Sequence, residues 1–297
     1  MQAVEVRLND HSLKDRKMSK LDIKIAFQGV LGAYSHQACF EAYPEAGVVP
    51  CNSFHSAIDA VTSGHADLAM LPVENSTYGR VADIHQLLPN SGLHIIGEHY
   101  VRVHINLLAV KGTTISEIKS AMSHTVLLGQ CRKFLAEHSI ESVIGVDTAG
   151  SAEIVAKDGV CSQGALASEL AGSIYGLDVV AKHIEDHSNN TTRFLVMSLD
   201  PQPAIITEGE IKTSFVFRVR NIPAALYKAM GGFATNGINM VKLESYMVDG
   251  SFTATQFYAD IIGHPDEPAV QRAMEELSYF TTHVEVLGVY KSGVIQA

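Results

Sequence analysis

The stretch Asn189-Asn190-Thr191-Thr192-Arg193-Phe194-Leu195-Val196-Met197 decides how this chain is read. A polar, turn-prone run of Asn and Thr empties into an apolar run of strand character. The junction places a hydroxyl, Thr192, and a guanidinium, Arg193, at the mouth of a sheet, where α/β folds hold their ligands. Thr192 is therefore the first candidate for chemistry, and most of what precedes it is expected to build a cleft around it.

Upstream of that junction the pattern alternates. Strands are predicted at residues 23–27, 48–51 and 67–71, and helices at 34–40, 54–61 and 81–88, stopped by Gly64, Pro89 and Gly92. The apolar stretch 93–110 contains Glu98, His99, Arg102 and His104, so it reads as extended strands crossing between two lobes. The alternation resumes with helices at 115–119, 127–137, 151–156 and 168–175, and strands ending at Ser123 or spanning 142–146, 179–184 and 193–198. Short strands separated by amphipathic helices imply βαβ units and a largely parallel sheet, here in two α/β lobes. Asp200-Pro201-Gln202-Pro203 reads as a linker, since paired prolines disfavour helix and central strand alike. Beyond it, residues 211–290 give strand 215–219, a helix opened by Pro223 and running to Thr235, and strands 239–247 and 252–259 around an Asp249-Gly250 hairpin turn. Helix 269–277 and strand 284–290 complete a ferredoxin-like βαββαβ order.

The 297 residues suit about two domains, and 46% hydrophobic with 18% charged residues is ordinary for a folded protein. No uncharged apolar run is long enough to span a membrane, and residues 1–7 lack a signal-peptide pattern, so a cytoplasmic protein is expected. Residues 1–20 read as a disordered extension, with Met18 an alternative start. The net charge of -10, without a Lys/Arg cluster, argues against nucleic acid as a partner. Cys39, Cys51, Cys131 and Cys161 form no CxxC pair and read as free thiols.

Several polar patches sit at predicted strand ends. Gly29-Val30-Leu31-Gly32-Ala33-Tyr34-Ser35 follows a strand and opens a helix, a geometry that suits an anion and equally a plain turn. Glu74-Asn75-Ser76-Thr77-Tyr78-Gly79, Ser123-His124 with Gln130-Cys131, and Asp147-Thr148-Ala149-Gly150-Ser151 follow the same logic. Each alone is more often a helix cap than a ligand contact. Together with 189–193 they offer many neutral donors and few carboxylates, which suits an anionic substrate handled without metal. His183 and His187 are four apart, but without HExxH or a third ligand they do not read as a metal site.

Residues 29–37, 72–79, 123–131, 147–152 and 189–194 resemble, in order and spacing, the motifs of the prephenate dehydratase family, and residues 211–290 resemble the ACT regulatory domain usually fused to it. The resemblance implies a two-lobed, periplasmic-binding-protein-like catalytic domain over residues 21–200, the second lobe spanning about residues 104–181. A linker over 201–210 and an ACT domain over 211–291 follow, with no chorismate mutase segment. It implies a cofactor-free lyase that converts prephenate to phenylpyruvate in phenylalanine synthesis. Arogenate dehydratase is the nearest alternative, and a non-catalytic two-lobed binding protein the next. Carried over by position, Thr192 would protonate or hydrogen-bond the leaving hydroxyl, with Arg193 and Phe194 completing its motif. Asn75, Ser123 and Gln130 would orient the substrate, flanked by Glu74 and Ser76, while Ser35 and the backbone of Thr148, Ala149, Gly150 and Ser151 would bind carboxylate. L-Phenylalanine would bind between two ACT domains of a homodimer or homotetramer through Asn221, Ala224, Ala225, Leu226, Glu244 and Ser245. The chain departs from the family where Ser-His-Pro-Gln reads Ser123-His124-Thr125-Val126, and where the glycine of Pro-Gly-Ala-Leu is Ala224. A third departure puts Tyr246-Met247 after Glu244-Ser245 in place of Arg-Pro.

Overall fold

The computed structural model describes residues 23–247 and 254–294. The extension expected over residues 1–20 and the Asp249-Gly250 turn lie outside the described residues. The first lobe contains β1 (Lys24–Gln28), α1 (Tyr34–Ala42), β2 (Gly47–Cys51), α2 (Phe54–Thr62), β3 (Leu68–Asn75), β4 (Gly79–Arg80), α3 (Ala82–Leu87) and β5 (His94–Arg102). The second contains β6 (Asn106–Ala109), β7 (Ser120–Ser123), α4 (Thr125–Gln130), α5 (Arg132–Glu137), β8 (Glu141–Ile144), α6 (Thr148–Asp158), β9 (Gln163–Ala167), α7 (Glu169–Tyr175) and β10 (Asp178–Ala181). The chain then returns to the first lobe as β11 (Thr191–Ser198). The C-terminal unit is β12 (Ile211–Val219), α8 (Ala225–Thr235), β13 (Met240–Met247), β14 (Ala254–Ile262), α9 (Pro268–Phe280) and β15 (Thr281–Lys291), the βαββαβ order expected from the sequence.

Burial explains the strand patterns. Ile25, Ala26 and Phe27 of β1 are all fully buried, because β1 lies between β2 and β3, parallel to both, with helices over both faces. The second-lobe sheet runs β10-β6-β9-β7-β8. In the larger sheet β11 lies between β5 and β3, antiparallel to both, and β5 is in turn bordered by β15 of the C-terminal unit.

That last junction ties the C-terminal unit to the first lobe. One face of its sheet carries Phe215, Phe217 and Phe257, which pack with Phe233 of α8 and Leu277 of α9. The other face carries Val216, Tyr246, Tyr258, Leu287 and Tyr290, which share a core with Ile84, Leu88, Leu93 and Ile95 of the first lobe. Backbones meet closely at Gly288, which pairs with Ile95: a Cβ there would lie 2.1 Å from the Ile95 carbonyl oxygen.

Three helices differ from the sequence expectation for local reasons. The helix expected over 127–137 breaks at buried Cys131, whose φ of -119° and ψ of 23° leave the helical range, giving α4 and α5. Helix α6 starts at Thr148 and not at 151, because Asp147 caps it by accepting from Gly150 N. Helix α8 starts at Ala225, after a left-handed Ala224 (φ 60°), and not at Pro223.

Two segments join the lobes, residues 103–105 and 182–190, and they are pinned to each other. Glu185 accepts from Ile105 N at 2.9 Å and lies 3.1 Å from His104 Nδ1. The rings of His104 and His183 stack with centroids 3.9 Å apart. The Tyr34 hydroxyl, at the start of α1, donates to the His104 carbonyl at 2.9 Å.

Candidate active site

Strand register builds the site. Thr192 of β11 pairs directly with Asn75 of β3, and Arg193 pairs with Glu74. Successive side chains on a strand point to opposite faces, so the Asn75–Thr192 pair and the Glu74–Arg193 pair face different ways.

On the first face the contacts are neutral. Asn75 Nδ2 donates to Thr192 Oγ1 at 2.9 Å and to Asn190 Oδ1 at 2.6 Å. Asn75 Oδ1 accepts from Thr77 N and Tyr78 N, which fixes the orientation of the amide and engages it on every side. Asn190 Nδ2 donates in turn to Gln130 Oε1 of the second lobe at 3.2 Å, so the row crosses the cleft. Ser76 laces the loop down: its Oγ donates to the Asn189 carbonyl and accepts from Thr191 N. Because Thr192 Oγ1 already accepts from Asn75, and its own O–H has no acceptor among the described residues, that proton is available to an external acceptor. Gln130 Nε2 is likewise without a partner among the described residues.

The starts of two helices, α1 and α6, share packing across the lobes. Tyr34, the first residue of α1, packs with Leu127, Leu128 and Cys131 beside α4, and burial pushes its phenol well above the ordinary range. Val30 and Ala33, just before it, pack onto Ala149 and Ala171 of α6 and α7. The residues that lead into α1, whose first turn holds Ser35, therefore lie against the second-lobe core that α6 and α7 share. Gly32 allows this approach: at φ 87° its position for a Cβ lies 2.8 Å from Ala171 Cα. Ser168 of the second lobe donates to the Gly32 carbonyl. The N–H groups of Thr148 and Ala149 have no acceptor among the described residues, while that of Gly150 is taken by Asp147. The Tyr78 hydroxyl reaches from the first lobe to the Val126 carbonyl of the second, at 3.4 Å.

Other residues that the sequence nominated lie elsewhere. Ser123 is fully buried and donates to the Leu166 carbonyl at 2.7 Å, and Ser151, also buried, donates to the Asp147 carbonyl. Phe194 lies in the first-lobe core with Phe27 and Met70. Arg193 turns away from the cleft into a buried ionic cluster. Its Nε donates to Glu98 at 2.7 Å, Nη1 to Glu74 at 2.9 Å and to Asp260 at 2.6 Å, and Nη2 to the Tyr290 hydroxyl at 2.9 Å. Glu74 accepts from Lys242 as well. Burial alone would raise the Glu74 pKa, but hydrogen bonds from Lys242 and Arg193 hold it below the ordinary carboxylate value. Sequence reading gave Asn190 no role beyond its run of neutral donors and missed Glu98, Lys212 and Asp260. The available signal for the last three was a charged side chain inside an otherwise apolar strand, which calls for a buried counter-ion.

In the C-terminal unit, Asn221, Ala224, Ala225 and Leu226 line a cavity of about 280 Å³, together with Phe257, the cross-strand partner of Ser245. Glu244 does not join them; it pairs with Arg80 and Lys242 against the first lobe. Among the described residues no group of three or more His, Cys, Asp or Glu is placed to hold a metal ion.

With this geometry in view, the comparisons with known proteins are specific. The family model described as prephenate dehydratase matches residues 25–202. A bifunctional N-acyl-homoserine lactone acylase/prephenate dehydratase of Komagataeibacter europaeus is 47% identical over 266 residues, covering 90% of this chain and 95% of the relative. The chloroplastic arogenate dehydratase/prephenate dehydratase 1 of Arabidopsis thaliana is 36% identical, covering 92% of this chain and 73% of the relative. The crystal structure of the Arthrobacter aurescens prephenate dehydratase in complex with L-Phe superposes with a TM-score of 0.82 at 29% identity, covering 90% of this chain and 89% of that one. The match runs through both lobes and continues into the C-terminal unit, so this chain belongs to the prephenate dehydratase family and is a dehydratase.

Proposed function

We propose that the chain converts prephenate to phenylpyruvate at the Asn75–Thr192 pair. The observation that carries this reading is a hydroxyl whose oxygen is held by an amide donor and whose proton has no acceptor among the described residues, in a row of neutral groups that crosses the cleft. Prephenate carries two carboxylates and a ring hydroxyl. In the reaction the bond from the ring to its carboxylate breaks and that electron pair enters the ring. The C–O bond on the opposite ring carbon breaks with it, so carbon dioxide and hydroxide leave and the ring becomes aromatic. Aromaticity supplies the driving force, leaving the protein to orient the substrate and to stabilise the departing oxygen. Thr192 donates to that oxygen, and Asn75 fixes the rotamer from which it does so. Gln130 Nε2 adds a donor from the second lobe. The N–H groups at the starts of α1 and α6 that have no acceptor among the described residues receive the carboxylates, where the helix dipoles favour negative charge.

L-Phenylalanine is the expected effector, held at the cavity formed by Asn221, Ala224, Ala225 and Leu226. Strand β13 lies at the edge of the sheet and exposes Val241, Leu243 and Met247, which suits pairing with a second copy in a dimer or tetramer. Titration calorimetry with L-phenylalanine tests this part, and absence of heat at millimolar ligand would count against it.

The catalytic reading is tested by stoichiometry: each prephenate consumed should release one carbon dioxide and one phenylpyruvate. Turnover of arogenate alone would keep the chemistry and change the substrate. The 47% identity to the Komagataeibacter protein also warrants an assay for acyl-homoserine lactone hydrolysis. Among the described residues the one hydroxyl–imidazole hydrogen bond, Ser63 to His65, lies on an exposed turn away from the cleft.

A further inference from the structure

Arg193 follows Thr192 in the chain yet donates to nothing in the cleft. Its contacts reach four different strands: Glu74 on β3 and Glu98 on β5 in the first lobe, Asp260 on β14 and Tyr290 on β15 in the C-terminal unit. The side chains of Glu98 and Asp260 are wholly shielded from solvent. Each has a second partner: Lys212 donates to Glu98 at 2.6 Å, and Ser214 Oγ to Asp260 at 2.5 Å. Lys242 of β13 completes the circuit by binding Glu74. The part of the cluster made by Arg193, Glu98 and Asp260 is dry and paired and tolerates few geometries, since displacing one of these partners strands a buried charge. The two first-lobe members on β3 and β11, Glu74 and Arg193, are the chain neighbours of Asn75 and Thr192 and are paired in the same register.

We propose that Arg193 is a positioning residue through which the C-terminal sheet holds β3 and β11 in the alignment that presents the Asn75–Thr192 pair to substrate. Turnover in the cleft then depends on Asp260 and Lys242, two residues of another unit that touch no cleft group. The proposal rests on the reading of Asn75–Thr192 as the reaction centre. It differs from a role for Arg193 as a substrate ligand, and from simple stability of the core.

Three variants of the full chain test it. Asp260→Asn discharges one partner while keeping an acceptor for Ser214. Lys242→Gln releases Glu74 at a less enclosed position. Arg193→Lys keeps the charge but not the fork. The readouts are kcat and KM, thermal melting, and backbone amide exchange over residues 72–76 and 190–194. The expected result for folded Asp260→Asn is a kcat lowered by about tenfold or more with KM changed less than about twofold. Exchange should quicken in those two segments, while residues 25–28 keep the protection of the parent. Lys242→Gln should move both readouts in the same direction, and Arg193→Lys should fall between Asp260→Asn and the parent. Should Asp260→Asn not fold, Lys242→Gln decides. Parental kcat and exchange in folded variants would overturn the proposal. So would an Arg193→Lys that raises KM at unchanged kcat, the signature of direct substrate binding. If the parent turns over neither prephenate nor arogenate, the dehydratase reading of the site fails, and the exchange comparison still decides the positioning role.

Discussion

Thr192→Val removes one oxygen and keeps the β-branched shape that β11 requires. The structural cost should be small. Asn75 Nδ2 loses Thr192 Oγ1 but retains Asn190 Oδ1, so about 1 kcal/mol of stability is at stake, the net worth of an ordinary hydrogen bond. The catalytic cost should be larger, because the lost group acts on charge that develops only as hydroxide departs. Removing one such donor typically lowers kcat by about 10²–10³-fold, equivalent to roughly 2.7–4 kcal/mol of transition-state stabilisation. Steady-state assays with prephenate should therefore show that fall in kcat with little change in KM, beside a melting curve close to that of the parent. Thr192→Ser, which restores the oxygen, should recover most of the rate. A folded Thr192→Val with near-parental kcat would remove the hydroxyl from the chemistry and refute the assignment. A loss confined to KM would make it a ground-state contact instead.

Other perturbations follow from single contacts. His85, buried beside Tyr246 and Tyr258 with both ring nitrogens unpaired among the described residues, has its pKa lowered from 6.5 to about 4, chiefly by burial and then by Lys242. The unfolded chain binds the proton more tightly, so this contribution is whole above pH 6.5 and shrinks as pH falls towards 4, by up to about 3 kcal/mol. His85→Phe should flatten the acid side of a denaturation-versus-pH profile, and an unchanged slope would contradict the assignment. Gly288→Ala would push a Cβ against the Ile95 carbonyl and should lower stability by about 1–3 kcal/mol in urea unfolding; a neutral effect would mean the sheets meet less closely. Ala224→Gly relieves a left-handed alanine and should add about 1 kcal/mol in the same assay, whereas destabilisation would argue against that backbone conformation.

The α/β alternation and the βαββαβ order were legible because their signals are local: apolar runs of strand length, glycine and proline stops, and helix-period stripes. Thr192 was legible because a polar run meets an apolar one there. Its neighbour was not. Arg193 shares the motif, but the two-residue period of a strand sends its side chain to the opposite face, and only tertiary contacts show what that face meets. Glu74 was nominated beside Asn75 for the same reason and was displaced by the same parity. The partners of Arg193 lie 95 residues back at Glu98 and 67 residues on at Asp260, so no window joins them. The break at Cys131 and the early start of α6 at Thr148 turn on single-residue backbone angles and one cap, details that periodicity blurs. The shared core between the C-terminal sheet and the first lobe left one trace. The run Phe215-Val216-Phe217 of β12 is apolar at successive positions and buried on both faces, which a sheet covered on one face only does not require.

The most direct test of the account is turnover by the purified full chain of prephenate and of arogenate in parallel, with phenylpyruvate and phenylalanine as the respective products. The expected result is rapid phenylpyruvate formation from prephenate, lost in Thr192→Val and regained in Thr192→Ser. A folded protein that releases neither product, or whose rate is indifferent to Thr192, would contradict it.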